Sequence, residues 1–290
     1  MNRCLSLICL LALATTAAAV EDPAGSPPPP ATAPATQPAD TQPASRPAVA
    51  PEVERLLDRV EAAGRKIRTL TAEVRYTEEE ILFGERTTYS GLVWYAQDSS
   101  GAQRPRFRIR FDTIRSGRNR READRDYVFF SDANGQWLIS RNGEIKQIVK
   151  YHVARAGSDA NPLELGQGPF PVPFGQRKDR VLSLFEVTTR PADKDDPEGT
   201  AFLKLVPRPE AADRFRVRWI EIWVNGDGLP VKIRTEDTQG ETRKTAVFAA
   251  TKINPDLEAS VFDLPWPGPG SGWERRVEPL PEQDTSGRVS

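Results

Sequence analysis

The foldable part of the chain opens with a helical pattern of apolar residues. After Pro51 they recur at steps of three, four and seven, and they are Val53, Leu56, Leu57, Val60, Ile67 and Leu70. This spacing places them on one face of an α-helix. Pro51 suits the first helical position, because its missing N–H would have no partner there. The pattern predicts an amphipathic helix of about five turns, with a polar far side.

After this helix the hydrophobic period changes to two, which is typical of strands. In the clearest case Phe107, Ile109 and Phe111 alternate strictly with arginines. Two earlier strands alternate as well, with Ala72, Val74 and Tyr76 on one face of the first and with Leu92 and Trp94 facing away from Val93 and Tyr95 in the second. About eleven strands are predicted, and the tight hairpins between them indicate an antiparallel sheet.

Eleven twisted strands have more concave surface than one helix covers, so the sheet is expected to curl. The predicted fold class is α+β, with an incomplete, unclosed antiparallel β-barrel of about 11 strands. The long N-terminal helix and a helical or loop lid are expected to cover its concave face. Barrels of this strand number can hold a ligand. Alternating Phe, Ile, Val and Trp fit a filled core equally well, because periodicity does not distinguish a cavity from a core.

A stretch of about thirty residues, 154–183, interrupts the strand pattern, and compact domains rarely keep such a loop without a purpose. It places Phe170, Val172 and Phe174 on a backbone that Gly and Pro keep irregular. One interpretation is a flap that lies on a hydrophobic surface and swings aside when a ligand enters. The other is a packed Ω-like loop that closes the core. A short helical piece is predicted to follow at 176–185.

The two ends of the chain differ from its middle in composition. Residues 1–19 carry Arg3, an apolar run and then three alanines, a pattern that signal peptidase accepts. Residues 20–50 are rich in Pro and Ala, and residues 268–290 are rich in Gly, Pro and charge. We predict a cleaved signal peptide, a disordered linker and a disordered tail around a folded domain at 51–267.

Composition removes several classes of function. Forty Lys and Arg balance 41 Asp and Glu, which leaves no field to hold nucleic acid. Both cysteines, Cys4 and Cys9, fall in the predicted signal peptide, and bulky residues before Cys9 argue against a lipid anchor. His152 is the only histidine and has no ligand-like spacing. No catalytic motif is present, so we expect neither an enzyme, nor a bound metal, nor a cofactor.

Nine arginines lie between residues 104 and 125. They could dock on anionic lipid headgroups or on an acidic partner. Because acidic residues are interspersed among them, a solvated outer face is the favoured interpretation.

Several short sequences, in a fixed order, resemble the landmarks of periplasmic lipoprotein carriers of the LolA/LolB type. In the first half these are Gly-Leu-Val-Trp at 91–94, Arg-Pro-Arg-Phe-Arg at 104–108, Ser-Asp through Gln-Trp-Leu at 131–138 and Asn-Pro at 161–162. The second half adds Phe-Leu-Lys-Leu-Val-Pro at 202–207, Ile-Glu-Ile-Trp-Val at 220–224, Gly-Leu-Pro at 228–230 and Phe-Asp-Leu-Pro at 262–265. The likeness spans residues 52–267.

This resemblance implies an apolar cavity that takes up the acyl chains of lipoproteins for passage through the periplasm. The residues then expected to bind ligand are Val74, Tyr76, Leu92, Trp94, Phe107, Ile109, Phe111, Trp137, Phe170, Val172 and Phe174. The arginine that latches the lid of the carriers matches Arg104. The implied partners are acylated lipoproteins or lipids, an inner-membrane release complex and an outer-membrane acceptor, and we expect a soluble monomer.

Two other functions fit the same sequence. One is an envelope-stress sensor or lipid-binding module of the same architecture, which would need a partner interface outside the mouth. The other is a structural envelope domain whose barrel is fully packed and binds no ligand.

Overall fold

The structure is a computed structural model that describes residues 49–97, 105–156 and 176–280. These residues belong to one compact unit that begins at Val49. The predicted signal peptide and almost all of the predicted linker lie outside the described residues.

Helix α1 spans Pro51–Lys66 and is shorter than predicted. Acidic residues in its first turn and basic residues in its last turn complement the helix dipole. Ile67 is already extended, and its N–H donates a hydrogen bond to the carbonyl of Gly64. Ile67 and Leu70 were assigned to the helix because their spacing fits its apolar face. Leu70 lies instead in the first strand, where it is completely buried.

Within the described residues, twelve strands form a single sheet. They are β1 (Thr69–Glu80), β2 (Glu85–Gln97), β3 (Pro105–Ser116), β4 (Asn119–Asp132), β5 (Gly135–Asn142), β6 (Gln147–Arg155), β7 (Phe185–Thr188), β8 (Ala201–Pro207), β9 (Val217–Val224), β10 (Pro230–Asp237), β11 (Thr242–Ile253) and β12 (Glu274–Glu278). A second helix, α2, spans Lys178–Leu184. The connections include 3-10 turns at Pro209–Arg214 and Ala259–Phe262.

The sheet order is β12-β6-β5-β4-β3-β2-β1-β11-β10-β9-β8-β7. The end strands β12 and β7 do not pair with each other, so the sheet is open and the prediction of an unclosed antiparallel barrel is confirmed. The strand beyond the predicted eleven is β12, which pairs with β6 in parallel. The tail predicted from residue 268 is therefore not disordered throughout, because residues 274–278 are hydrogen-bonded into the sheet.

One face of the sheet, called the inner face here, carries α1 and α2. Side chains directly opposite each other across a ladder share a face, so the register assigns every strand residue to a side. The core under the two helices is formed by Val53, Leu56 and Leu57 of α1, Val181 and Leu184 of α2, and Phe185, Leu203, Leu205, Ile220, Ile222, Val224 and Ile233 of β7 to β10. Helices α1 and α2 thus pack against the β7–β10 half of the sheet.

The opposite face, called the outer face, is crossed by the segment that leads from β11 to β12. A guanidinium nitrogen of Arg108 on β3 donates a 2.8 Å hydrogen bond to the carbonyl of Val261. The guanidinium of Arg106 lies over the Phe262 ring at 5.1 Å. Farther along, Arg141 of β5 lies 4.9 Å from the ring of Trp273. These contacts bring the chain to the β6 edge, where β12 begins.

Gly91 allows β2 and β3 to approach closely at a bulge between Ser90 and Gly91. A Cβ atom at this position would lie 1.8 Å from the carbonyl oxygen of Arg110. Only glycine fits there, because the obstructing atom belongs to the backbone of the neighbouring strand.

Candidate binding face

The inner face of β1 to β4 carries a tract of packed aromatic rings. Tyr76 of β1 and Tyr89 of β2 have centroids 6.3 Å apart, and Phe111 of β3 lies 6.1 and 5.5 Å from them. Tyr127 of β4 meets Phe111 edge-on at 6.2 Å. Such tilted and edge-on pairs are favourable beyond the apolar area that they bury. The rings form a continuous apolar surface, called the aromatic tract below.

Five of the predicted ligand-binding residues belong to this inner face. They are Val74, Tyr76, Phe107, Ile109 and Phe111, and none is more than 5% exposed. The register places them in neighbouring rows, since Val74 faces Gly91 across one ladder and Gly91 faces Phe111 across the next. The structure therefore brings these five side chains together, and their role in ligand binding stays a prediction.

Three other predicted residues lie on the outer face, which corrects their placement on the concave side. Trp94 faces Arg108 across the β2–β3 ladder, and Arg108 lies over its ring at 5.8 Å. Leu92 is 42% exposed on the same side. Trp137 stacks on His152 with ring centroids 4.3 Å apart. In β2 the alternating residues Val93 and Tyr95 are also apolar, so alternation alone did not decide which set turns inward.

The remaining predicted residues, Phe170, Val172, Phe174 and Arg104, lie outside the described residues. The predictions of a flap and of an arginine latch therefore stay predictions.

A small cavity lies beneath the two helices. Its volume is about 20 Å³, and it is lined by Leu57, Val60, Gln176, Val181, Leu203, Leu205, Ile222 and Pro230. That is room for about one water molecule, whereas ligand pockets hold roughly 300 Å³ or more. An acyl chain would fit here only if α1 and α2 moved away from the sheet.

Two polar contacts of Lys178 help to fasten α2 to α1. The ammonium group of Lys178 forms an ion pair with Asp58 at 2.9 Å. The backbone N–H of Lys178 donates a 3.0 Å hydrogen bond to the carboxylate of Glu61, and this bond is the main reason that the pKa of Glu61 lies below its usual value. The helices contact β7 to β10 through the apolar side chains of the core, and such contacts are non-directional. The guanidinium of Arg208, just after β8, also donates a 3.1 Å hydrogen bond to the carbonyl of Leu182 on α2.

Polar groups gather at the far end of the aromatic tract. The Tyr76 hydroxyl donates a 3.3 Å hydrogen bond to Glu78, and Lys244 lies 3.7 Å from the same carboxylate. The guanidinium of Arg125 lies over the Tyr89 ring at 5.1 Å and contacts the Tyr89 hydroxyl at 3.4 Å. Burial raises the pKa of Glu78, although Lys244 and Tyr76 act in the opposite direction. Burial likewise raises the pKa of Tyr76.

Sequence reasoning missed Arg125 as a member of this inner face. The residue is 4% exposed and pairs with Glu144 at 3.4 Å. Its position at the end of an arginine-rich run favoured a solvated face. The only signal was its spacing of two from Tyr127, which places both side chains on the same side of β4.

Within the residues that the structure describes, no group of three His, Cys, Asp or Glu side chains is arranged to hold a metal ion. The same residues contain no helix with the length and apolar character needed to span a bilayer.

No protein-family model and no curated protein matches the chain. Among solved structures it resembles a putative outer membrane lipoprotein-sorting protein domain from Vibrio parahaemolyticus, with a TM-score of 0.37, 11% identity and coverage of 73% of this chain and 97% of that one. For a LolA superfamily protein from Nitrosomonas europaea the TM-score is 0.32 at 11% identity, with coverage of 73% and 97%.

A third structure that the chain resembles is MucB, with a TM-score of 0.43 and 15% identity over 74% of this chain. The matched part is 64% of MucB, and MucB from Pseudomonas aeruginosa forms a complex with MucA in a further structure. At TM-scores below 0.5, these structures assign neither a ligand nor a partner to this chain.

Proposed function

We propose that the chain is an exported, non-catalytic carrier that shields the acyl chains of lipoproteins or lipids on its inner face. The observation that carries this proposal is the continuity of the apolar face. Ile233 on β10 faces Ala246 on β11, and Ala246 faces Tyr76 on β1. The inner face therefore runs from the core under the helices into the aromatic tract, whose rings are at most 6% exposed. A surface of this kind offers apolar contact without directional hydrogen bonds, which suits binding followed by release.

In this proposal α1 and α2 exchange their apolar contacts for those of the ligand. Each methylene removed from water contributes about 0.8 kcal/mol, so one long acyl chain contributes roughly 10 kcal/mol. Lifting α2 would expose Val181 and Leu184 and break the Lys178–Asp58 ion pair. The acyl chain covers the apolar sheet residues that the helices uncover. The free energy lost by lifting the helices is therefore largely offset by removing the acyl chain from water. The described structure, with its cavity of about 20 Å³, then corresponds to the empty, closed state.

The carrier would work in the periplasm, after removal of the predicted signal peptide. It would receive its cargo from an inner-membrane release complex and deliver it to an outer-membrane acceptor. These steps follow from the sequence resemblance and remain part of the proposal.

A second candidate function is that of a packed structural domain without a ligand. The small volume of the cavity favours this candidate, because side chains already fill the space beneath the helices.

Binding of a fluorescent fatty-acyl probe to the delipidated mature chain decides between the two functions. A carrier is expected to take up the probe and to release it when an acylated peptide competes. Lys178→Ala should raise the affinity roughly twofold or more, because it removes a partly exposed ion pair that holds α2 closed. Arg177→Ala is the matched control, since its ion pair joins the N-cap of α2 to Asp179 in the first turn of the same helix. No uptake by the native chain or by Lys178→Ala would leave the packed domain as the function.

A further inference from the structure

Three neighbouring hairpins turn at one end of the sheet. They join β1 to β2 at residues 81–84, β3 to β4 at 117–118 and β5 to β6 at 143–146. Because β1 to β6 are adjacent in sheet order and antiparallel, all three turns lie on the same side. At about 4.8 Å per strand step, the outer two turns are roughly 19 Å apart. These three turns are called the hairpin rim.

The two outer turns of the rim carry exposed apolar side chains. Leu82 and Phe83 are 82% and 68% exposed in the β1–β2 turn, and Ile145 is 58% exposed in the β5–β6 turn. Hairpin turns normally use Gly, Asn, Asp, Ser or Pro. Side chains that are this exposed contribute almost nothing to the core, so fold stability does not explain why they are apolar.

The middle turn of the rim is basic. Arg115, Arg118, Arg120 and Arg121 are all exposed there. Arg115 and Arg120 face each other directly across the β3–β4 ladder, and like charges in such a pair are destabilising. Arg121 pairs with Glu144, whereas the guanidinium of Arg115 donates a 3.3 Å hydrogen bond to the carbonyl of Gly117, an uncharged partner. In the isolated chain, the repulsion between these arginines lowers the stability of the fold. Binding of an anionic partner relieves that repulsion.

The β1–β2 hairpin projects beyond its basic neighbour. Strand β3 ends at Ser116, which faces Thr87 of β2. Beyond Thr87, the β1–β2 ladder continues for two more pairs and ends where Glu80 faces Glu85. Two pairs extend it by about 7 Å, which matches the depth of roughly 5–10 Å that apolar side chains reach at a bilayer interface. Because Glu80 and Glu85 at its base are negative, the β1–β2 turn offers apolar contact and no positive charge. The positive charge of the rim comes from the middle turn.

We propose that the hairpin rim docks on the surface of an anionic lipid bilayer. Leu82 and Phe83 enter the boundary between headgroups and acyl chains, and Ile145 touches it about four strands away. Arg115, Arg118 and Arg120 bind lipid phosphates, for which the guanidinium offers two parallel N–H donors. The acyl region of a bilayer is fluid, so it can take up protruding turns without a pocket of matching shape. This inference is independent of the proposed cargo, since the rim lies outside the inner face.

The test is sedimentation of the mature chain with lipid vesicles. The native chain is expected to bind vesicles of phosphatidylcholine with phosphatidylglycerol, to bind phosphatidylcholine alone more weakly, and to be released by salt. Leu82→Ser with Phe83→Ser should weaken binding roughly tenfold or more, and Arg118→Glu with Arg120→Glu should abolish the preference for the anionic lipid. All four side chains are exposed, so thermal unfolding should not change.

Two controls match these variants away from the rim. Val277→Ser replaces an apolar side chain that is 59% exposed on β12. Lys66→Glu with Arg68→Glu reverses two exposed charges next to the opposite end of β1. Both should bind vesicles as the native chain does. Equal binding by rim and control variants, or no binding by the native chain, overturns the proposal. If the rim variants instead abolish self-association seen by light scattering, the occupant is a second copy of the chain and the lipid assignment is wrong.

Discussion

The indole N–H of Trp223 donates a hydrogen bond to the carboxylate of Asp196, 27 residues away in the chain. Arg190 donates two hydrogen bonds of 2.7 and 2.8 Å to the same carboxylate, and its guanidinium lies 4.0 Å from the ring of Phe202. These contacts fasten the connection between β7 and β8 across the outer face. They explain why Trp223 is only 1% exposed although it points away from the helices.

Replacing Asp196 with Asn should destabilise the fold by about 2 kcal/mol at neutral pH, because a buried charge-assisted network loses its anion. The hydrogen bonds from Arg190 hold the pKa of Asp196 well below its usual value of 3.8. A carboxyl with a lowered folded pKa stabilises the fold above its usual pKa and loses that contribution as the pH falls below it. The difference between Asp196→Asn and the native chain in urea denaturation should therefore shrink below pH 3.8.

Asp195→Asn is the control for this experiment, since Asp195 is exposed on the same connection. A pH-independent difference for Asp196→Asn would show that the charge of Asp196 contributes nothing.

Gly91→Ala should destabilise the sheet by several kcal/mol, because the new methyl group would meet the Arg110 carbonyl at 1.8 Å and the two strands would have to separate. The control is Gly226→Ala, whose added Cβ would meet no atom within 4 Å. Thermal unfolding of both variants checks the prediction. Equal melting temperatures would mean that β2 and β3 tolerate a wider bulge.

The faces of strands were predictable where the two sides differ in polarity. Phe107, Ile109 and Phe111 alternate with arginines, and all three turn inward as predicted. In β2 both sides are apolar, and Trp94 lies outward because residues between β11 and β12 cover part of the outer face. That covering segment has no hydrophobic period, so no local pattern indicated it.

For the candidate site, the sequence predicted which residues of a single strand share a face, but not which strands pair. The aromatic tract depends on the register between β1, β2, β3 and β4. The alternation pattern of a single strand does not specify that register. Arg125 illustrates the limit, because its burial follows from facing Phe111 across a ladder and from lying over Tyr89. In the sequence it is one of many arginines.

Glu78→Gln should alter the pH dependence of stability. Burial raises the folded pKa of Glu78 above its usual value of 4.5, so the fold binds this proton more tightly than the unfolded chain does. The free energy of unfolding contributed by Glu78 therefore falls as the pH rises from 4.5 through the folded pKa. Gln cannot ionise and still accepts the Tyr76 hydrogen bond, so this fall should disappear.

Denaturation of Glu78→Gln and of Glu80→Gln at several pH values above 4.5 measures the effect, since Glu80 is exposed on the same strand. The hypothesis that desolvation outweighs the attraction of Lys244 is wrong if Glu78→Gln is less stable than the native chain throughout this range.

Removing residues 268–290 should make the chain self-associate more strongly. The deletion takes away β12 and uncovers the backbone donors and acceptors of β6 along the five paired rows. Ile148, which is fully buried in the native structure, lies on that edge. An uncovered strand edge is a template for pairing with another chain. Light scattering at increasing concentration should show dimers or larger species. Replacing Lys150 with Pro in the truncated chain should suppress them, because the backbone groups of alternate residues from Lys146 face β12 and proline removes an edge donor. A truncated chain that stays monomeric would show that β12 is not needed to protect the sheet edge.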